Sequence, residues 1–287
     1  MSKKKAKGLL VLLFIYIVAT LIGYLSFNLL NNNMDLLLRV FIANAVATVF
    51  VWVIGIFLKS ASIYDPYWSV QTVVIYMFLM ISKSAYNLGS ILILCCLLFW
   101  AVRLTYNFAY GFDDLSYVDW RYKMLKEKTG PLFQLVSLLG IHMFPTIVVY
   151  LASIPAYMYL IRGFDFEAVN LVGLFIMIIA TILELISDLN MAKFKKIRTD
   201  RNQVINVGLW KYSRHPNYLG EIMFWYGLAL VYVLSDLSSF NCLLGAVVNH
   251  LMFLFISIPM AENHMKGYKP NFMEYKKETR MLLPFKK

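Results

Sequence analysis

The 287-residue chain has few of the groups on which soluble or disulfide-linked proteins depend. Only 15% of its residues are charged while 60% are hydrophobic, and the mean hydropathy is +0.65, which excludes a soluble domain of ordinary composition. Three cysteines, two of them adjacent, provide neither a disulfide framework nor metal-ligand spacing, so we expect no metal site. No internal repeat, low-complexity tract or Gly/Ser linker is visible. This predicts a single transmembrane domain over residues 1–287 and argues against a transporter.

Long apolar runs predict an all-α fold, a polytopic membrane bundle of helices. Each run is about as long as an α-helix that crosses a ~30 Å hydrocarbon core. The eight predicted spans are 8–30, 36–58, 67–82, 87–110, 131–161, 166–188, 217–234 and 239–260. The third is short and the seventh begins in a polar motif, so either could be tilted or packed inside the bundle. Seven spans is therefore the competing number.

The distribution of basic residues predicts the orientation of the chain. Most of the 27 Lys and Arg fall on one side when the N-terminus is inside, in both termini and in the connections 59–66, 111–130 and 189–216. Both termini are therefore expected to be cytoplasmic, in a multi-pass protein of the cytoplasmic membrane. The net charge of +11 follows from this bias and from contact with anionic lipids, so no nucleic acid partner is expected. The first run is too long for a cleaved signal peptide and predicts a retained anchor.

Five charged residues fall at or near membrane depth, where a charge costs about 2.5–3.5 kcal/mol on insertion scales. Any one of them could form a structural ion pair, but five in one chain indicate a polar internal site. They are Asp65, Arg103, Glu184, Asp188 and Glu221.

Glu184 and Asp188 lie four residues apart and therefore share one face of a helix. Basic residues follow them, among them Lys195 and Arg201. A ribose and phosphates would use both halves of this arrangement, because carboxylates accept from hydroxyls and cations bind phosphate. The alternative is an acidic interfacial patch that the bases balance.

Residues 208–221 form the densest polar cluster and precede an apolar helix. Pro216 suits the first turn of that helix. Asn217 and Glu221 then share a face, and an amide beside a carboxylate can bind a carboxamide such as that of nicotinamide. The alternative is helix capping with interfacial anchoring by aromatic residues, including Tyr212 and Tyr218.

Two further polar positions are candidates. His264 and Tyr268 repeat the one-turn spacing just beyond the last span, on the same predicted side of the membrane. Asp65 lies among aromatic residues, where desolvation raises the pKa of a carboxyl group and allows it to donate a proton to a carbonyl oxygen. The alternative for Asp65 is a helix cap ahead of Pro66.

Residues 184–285 resemble the C-terminal domain of the steroid 5α-reductase family, in particular its uncharacterised bacterial membrane branch. The stretch from Ser213 to Glu221 and the tail from Tyr275 to Phe285 carry the resemblance. It implies that NADPH binds near the cytoplasmic face and gives hydride to the β-carbon of an enone, in a lipophilic steroid-, sterol- or isoprenoid-like substrate drawn from among the membrane lipids.

The resemblance also implies site residues. Asp65 falls near the position of a catalytic Glu, and Trp100 takes the position of a catalytic Tyr, so Tyr67 or Tyr106 is the hypothesis for the missing hydroxyl. The residues expected at the cofactor are Arg121, Glu184, Asp188, Lys195, Arg201, Tyr212, Arg214, Asn217, Tyr218, Glu221, His264 and Tyr268.

Two rival functions stay open. A membrane methyltransferase of the isoprenylcysteine or phospholipid type shares the Arg-His-Pro-x-Tyr-x-Gly core from Arg214 to Gly220 and binds S-adenosylmethionine. A non-catalytic lipid-binding protein could keep the same fold. The amide and carboxylate pair and the acid-plus-base segment after Glu184 favour the reductase.

Overall fold

The computed structural model describes residues 2–283, and 80% of it is helical. Within these residues no β-strand forms, and Ser213 and Arg280 make only an isolated bridge. The predicted all-α class is therefore confirmed. Pro284 and Phe285, at the end of the predicted 184–285 cofactor-binding region, lie outside the described residues.

Helix bounds follow the apolar runs closely. The α-helices are α1 (Lys3–Leu29), α2 (Leu36–Phe57), α3 (Tyr67–Ser82), α4 (Leu88–Gly111), α5 (Trp120–Thr129), α6 (Phe133–Val136), α7 (Phe144–Arg162), α8 (Asn170–Ile197), α9 (Pro216–Val233), α10 (Leu244–Met252), α11 (Ile258–Tyr268) and α12 (Phe272–Glu278). Short 3₁₀ turns cover Ala61–Tyr64, Gly130–Leu132, Gly208–Lys211 and Leu237–Leu243, and π-helical segments cover Ser137–Met143 and Phe253–Ser257.

The chain divides into two compact units. The first comprises Met1–Ser82 and Trp100–Tyr150, and the second comprises Lys83–Phe99 and Leu151–Lys287. Helices α4 and α7 each contribute residues to both units. The units are described separately below.

In the first unit, α1 packs closely against α2. A Cβ on Gly23 would lie 3.4 Å from the Ala43 carbonyl oxygen, so small residues allow the two backbones to approach. The core beside them is aromatic, and the buried Tyr16 hydroxyl donates to the Ile63 carbonyl oxygen at 2.6 Å. This bond anchors the turn that leads into Asp65 and α3.

In the second unit, α8 packs along α9 through glycines. A Cβ on Gly173 would come 2.5 Å from the Gly227 carbonyl oxygen, which no real Cβ tolerates. The buried Asn170 Nδ2 donates to the Val231 carbonyl oxygen at 2.8 Å and so fixes the register of the two helices. The face of α8 that carries Glu184 is therefore held against the start of α9.

Within residues 2–283, six helical segments are long and apolar enough to cross a membrane. They are Lys3–Leu29, Leu36–Phe57, Leu88–Gly111, Trp120–Arg162, Asn170–Ile197 and Leu237–Tyr268. The protein is therefore of the multi-pass type. The predicted third and seventh spans do form helices, α3 and α9, but α3 has 16 residues and α9 carries Asn217 and Glu221 in its first turns. The number of eight spans and the cytoplasmic location of both termini stay predictions.

Candidate functional site

In the second unit, the segment before α9 folds back onto the C-terminal half of α8. The indole N–H of Trp210 donates to the Ser187 carbonyl oxygen at 3.0 Å. Gly208 adopts a left-handed φ of +57°, and a Cβ there would meet the Asn190 side chain, so glycine is required on both grounds. These contacts bring the α8 carboxylates near the polar start of α9.

The first turns of α9 present the predicted amide and carboxylate. Pro216 occupies the first turn, as expected. Asn217 is half-buried, and its side chain forms no hydrogen bond with residues 2–283. Glu221 is buried, and its Oε1 accepts from the Trp225 indole N–H at 2.9 Å. The Asn217 amide thus keeps its hydrogen-bonding capacity, while the Glu221 carboxylate is held in place by Trp225 of the same helix.

Gly220, the glycine of the Arg214–Gly220 core, packs against the acidic face of α8. A Cβ on Gly220 would lie 2.3 Å from Glu184 Cγ and 2.8 Å from the Ala180 carbonyl oxygen. Glu184 is wholly buried and Asp188 is half-buried. The two carboxylates therefore differ in access, with Asp188 the more open.

Arg214 is the centre of a buried polar network. Its Nε donates to Glu262 Oε1 at 2.8 Å, and its Nη1 donates to the carbonyl oxygens of Lys276, at 3.3 Å, and of Thr279. Its backbone N–H donates to the Arg280 carbonyl oxygen at 2.9 Å. The guanidinium thus ties the C-terminal segment to the start of α9. This geometry favours a structural clamp over the phosphate contact that the resemblance implies for Arg214.

His215 belongs to the same network. Its Nε2 lies 3.2 Å from Glu262 Oε1, and its ring stacks on Tyr218 with the centroids 5.2 Å apart. Burial lowers the pKa of His215 below its ordinary value, although the Glu262 carboxylate opposes the shift. A neutral ring that donates from Nε2 fits this position. Tyr218 is thereby fixed as a flat wall beside the start of α9.

The remaining residues expected at the cofactor are more open. The rings of His264 and Tyr268 lie 5.0 Å apart at the end of α11, and Tyr268 is 41% exposed. Tyr212, Lys195 and Arg201 are also exposed. These side chains are basic and aromatic groups of the second unit that a soluble ligand could reach.

The first unit holds the other candidates, with Asp65 at their centre. The Tyr122 hydroxyl donates to Asp65 Oδ1. Arg121 makes an ion pair with Asp119 at 2.7 Å, and its charge also acts on Asp65. Burial raises the pKa of Asp65 to about 6, although Arg121 and the Tyr122 hydroxyl oppose the shift. The expectation of a desolvated carboxyl is thus supported on physical grounds.

The two tyrosines expected to help Asp65 differ in burial. Tyr67 is 1% exposed and packs edge-on against Tyr16, whereas Tyr106 is 62% exposed on α4. Trp100 is wholly buried and contacts Trp68 with the ring centroids 5.4 Å apart. Since Asp65 is itself half-buried, burial favours Tyr67 over the exposed Tyr106 as its partner.

Sequence reasoning did not select Tyr122 as a site residue. Its 57-residue separation from Asp65 hides the contact. The available signal was its place directly after Arg121, which was selected. Glu262 was likewise not selected, because 48 residues separate it from its partner Arg214.

Together these features define a multi-pass helical membrane protein with two polar, partly buried clusters. Residues 51–279 match the family described as "Protein of unknown function (DUF1295)", and the chain belongs to this family. It is a membrane family related to the steroid 5α-reductases.

An uncharacterised protein of Schizosaccharomyces pombe is 25% identical over 219 residues, which cover 66% of this chain and 62% of the yeast protein. The matched region is thus less than two thirds of that relative. No solved structure matches the chain.

Proposed function

We propose that the protein is an NADPH-dependent reductase of a carbon–carbon double bond in a lipophilic enone, a steroid, sterol or isoprenoid-like compound. The observation that carries the proposal is the pair at the start of α9. The Asn217 amide is half-buried and makes no hydrogen bond within residues 2–283, one helical turn from the Glu221 carboxylate. A carboxamide has an N–H₂ that donates and a carbonyl oxygen that accepts. The Asn217 amide can bind both of these groups, and the Glu221 carboxylate can accept from the N–H₂.

Neighbouring residues fit the rest of the dinucleotide. Asp188, half-buried on α8, would accept from sugar hydroxyls together with Glu184, and the exposed Lys195 and Arg201 would neutralise phosphate charge. Tyr218, Tyr212, His264 and Tyr268 would form aromatic walls. Arg214 would act indirectly, by holding the C-terminal segment against α9. In the predicted orientation this site faces the cytoplasm.

NADPH, when bound, supplies the hydride that reaches the β-carbon of the enone. The proton chemistry falls to Asp65 and Tyr122. Below a pH of about 6 Asp65 carries its own proton, and above it the carboxylate orients the Tyr122 hydroxyl by accepting its hydrogen. Either form of the pair can present a donor to a carbonyl oxygen, with Tyr67 as a buried neighbour of Asp65 along the chain.

Ligand-dependent melting of the purified protein in detergent tests the cofactor. NADPH should raise the melting temperature, and S-adenosylmethionine should not. Glu221→Gln should weaken NADPH binding by roughly 1–3 kcal/mol, the cost of a mismatched buried partner. Asn217→Ala should weaken it similarly, whereas Asn202→Ala, an exposed asparagine in the loop after α8, should leave it unchanged.

Stabilisation by S-adenosylmethionine instead of NADPH would support the methyltransferase reading. Stabilisation by neither compound, with intact folding, would favour a lipid-binding protein without a cofactor. NADPH affinity that is equal in Asn217→Ala, Glu221→Gln and Asn202→Ala would remove the α9 pair from the proposal.

A further inference from the structure

The first unit encloses a cavity beside the Asp65–Tyr122 pair, since Tyr122 is one of the residues that line it. Its volume is about 290 Å³, close to the lower end of the range for small-molecule pockets. It lies between the C-terminal end of α2, helix α5 and the π-helical segment Ser137–Met143. In the predicted orientation all three borders belong to the cytoplasmic side.

Two of the residues that line the cavity each hold a buried polar atom that makes no hydrogen bond within residues 2–283. These are Trp52 Nε1 and His142 Nε2, and His142 is wholly buried. Native proteins rarely leave such atoms unsatisfied unless a ligand or water completes them. A polar occupant that reached these atoms from the cavity would satisfy them.

Geometry assigns complementary roles to these two atoms. His142 Nδ1 lies 2.9 Å from the Ser137 carbonyl oxygen, which can only accept. Nδ1 therefore carries the hydrogen, and Nε2 of the neutral ring is an acceptor. The Trp52 indole N–H can only donate. These two lining residues thus hold one donor and one acceptor. His142 lies in the π-helical segment Ser137–Met143, and such segments often occur at functional sites.

Three cations complete the lining. Lys59, Lys123 and Lys126 border the cavity, and no Asp or Glu lines it within the described residues. Tyr122, which lines the cavity, donates to Asp65, so the Asp65 carboxylate is already hydrogen-bonded. The excess of positive charge selects an anion.

Lys59 occupies its position against a backbone cost. Its φ is +56°, in the left-handed region that favours glycine. Its N–H donates to the Ile56 carbonyl oxygen at 3.1 Å, and the Ser60 N–H donates to that of Gly55 at 3.0 Å. These two bonds form a Schellman motif at the end of the helix. Glycine usually occupies the position in this motif that Lys59 has here. A lysine here gives up backbone stability and places an amine at the cavity.

We propose that this cavity binds a phosphate monoester group. The phosphate oxygens accept from the Trp52 indole N–H and pair with the three lysines, while a P–OH donates to His142 Nε2. The group comes either from the headgroup of an anionic lipid in the facing leaflet or from a soluble phosphate compound. This site is independent of the proposed cofactor site at α9.

Binding of two probes to the purified full-length protein in detergent tests the proposal. Radiolabelled inorganic phosphate in equilibrium dialysis represents the soluble source. Short-chain phosphatidic acid, counted by native mass spectrometry against phosphatidylcholine of the same chain length, represents the lipid source. Saturable binding of one probe is expected, and the probe that binds identifies the source.

Two variants locate the binding. Trp52→Phe keeps an aromatic side chain but replaces the indole with a smaller ring that has no N–H, and should weaken binding about tenfold. Lys59→Gly should weaken it about fivefold while the melting temperature stays equal or rises, because glycine relieves the positive φ. Ser84→Gly is the matched control, since Ser84 also has a positive φ, of 50°, but does not line the cavity.

The proposal is overturned if neither probe binds saturably to the wild-type protein. It is also overturned if Trp52→Phe and Lys59→Gly bind the probe as tightly as Ser84→Gly does. The Lys59→Gly arm is informative about folding as well, because a general loss of structure would lower its melting temperature below that of Ser84→Gly.

Discussion

The two units bury their polar groups in different ways. Around Arg214 in the second unit, cation, carboxylate and carbonyl groups satisfy one another and close a network over the C-terminal segment. In the first unit, Tyr67 Oη, Trp52 Nε1 and His142 Nε2 are buried and make no hydrogen bond of good geometry within residues 2–283. A closed network contributes to stability, and an open one keeps capacity for a ligand at some expense of stability.

This difference gives a rule for substitutions. Changes in the Arg214 network should act mainly on the free energy of unfolding, because each group there has its partner inside the protein. Changes near Asp65 should act mainly on activity or binding. The expected effects below run from the largest to the smallest.

Asp65→Asn should have the largest effect, on turnover. Loss of the ionisable group should slow reduction about 10²–10⁴-fold, the usual contribution of a general acid, while NADPH binding stays unchanged. Burial raises the pKa of Asp65 to about 6, and the protonated carboxyl is a stronger acid than the Tyr122 hydroxyl that serves as donor above this pH. The wild-type rate should therefore fall as the pH rises through about 6. The pH–rate profiles of the purified wild-type and Asp65→Asn proteins measure both the loss of turnover and the pH dependence.

Asp65→Asn should abolish that pH-dependent limb. A variant that lost stability but kept its turnover and pH profile would contradict the rule for the first unit.

Glu262→Gln should have the largest effect on stability. It removes the charge that compensates the Arg214 guanidinium, which is 6% exposed, and leaves a buried cation uncompensated. The expected loss is about 3 kcal/mol. Unfolding in mixed micelles with increasing SDS measures it, and Glu274→Gln on the exposed surface of α12 should cost under about 0.5 kcal/mol. Equal losses in the two variants would show that the network is not closed.

The sequence was sufficient for features that depend on local pattern. Apolar runs gave helix bounds within a few residues, as for the predicted span 36–58 and the observed Leu36–Phe57. Pro216 marked the start of α9, because proline suits a first helical turn. The spacing of Asn217 and Glu221 placed both on one face for the same local reason.

Features that join distant segments were not predictable in this way. Helical periodicity identifies a face but not what packs against it, so the contact of Tyr122 with Asp65 and that of Arg214 with Glu262 were hidden. Composition alone also leaves the number of spans open, since polar residues in α9 and the shortness of α3 make these two helices weak candidates for spans. A buried polar helix resembles a membrane span until its neighbours are known.

Gly220→Ala tests how tightly the second unit is packed. The new methyl group would collide with Glu184 Cγ and, at 2.8 Å, with the Ala180 backbone oxygen, which cannot move aside easily. We expect a loss of about 2 kcal/mol in unfolding free energy. Gly267→Ala in α11 is the control. Apart from its chain neighbours and the adjacent turns of its own helix, no atom of the described residues lies within 4 Å of the position that the new methyl group would take, so it should stabilise the helix by about 0.5–1 kcal/mol. A neutral Gly220→Ala would indicate loose α8–α9 packing.

The smallest expected effect is a difference in unfolding free energy between substitutions at two neighbouring tyrosines of the first unit. The Tyr64 hydroxyl is hydrogen-bonded to Thr146 Oγ1 at 2.7 Å, whereas the Tyr67 hydroxyl is buried near Thr48 without a hydrogen bond of good geometry. Tyr64→Phe should therefore lower the unfolding free energy by about 1 kcal/mol, and Tyr67→Phe should leave it unchanged or raise it slightly. Both substitutions remove the same atom from one aromatic cluster, so the difference between them reports only on the partner. If Tyr67→Phe were the more destabilising, its hydroxyl would be satisfied, and the first unit would be as closed as the second.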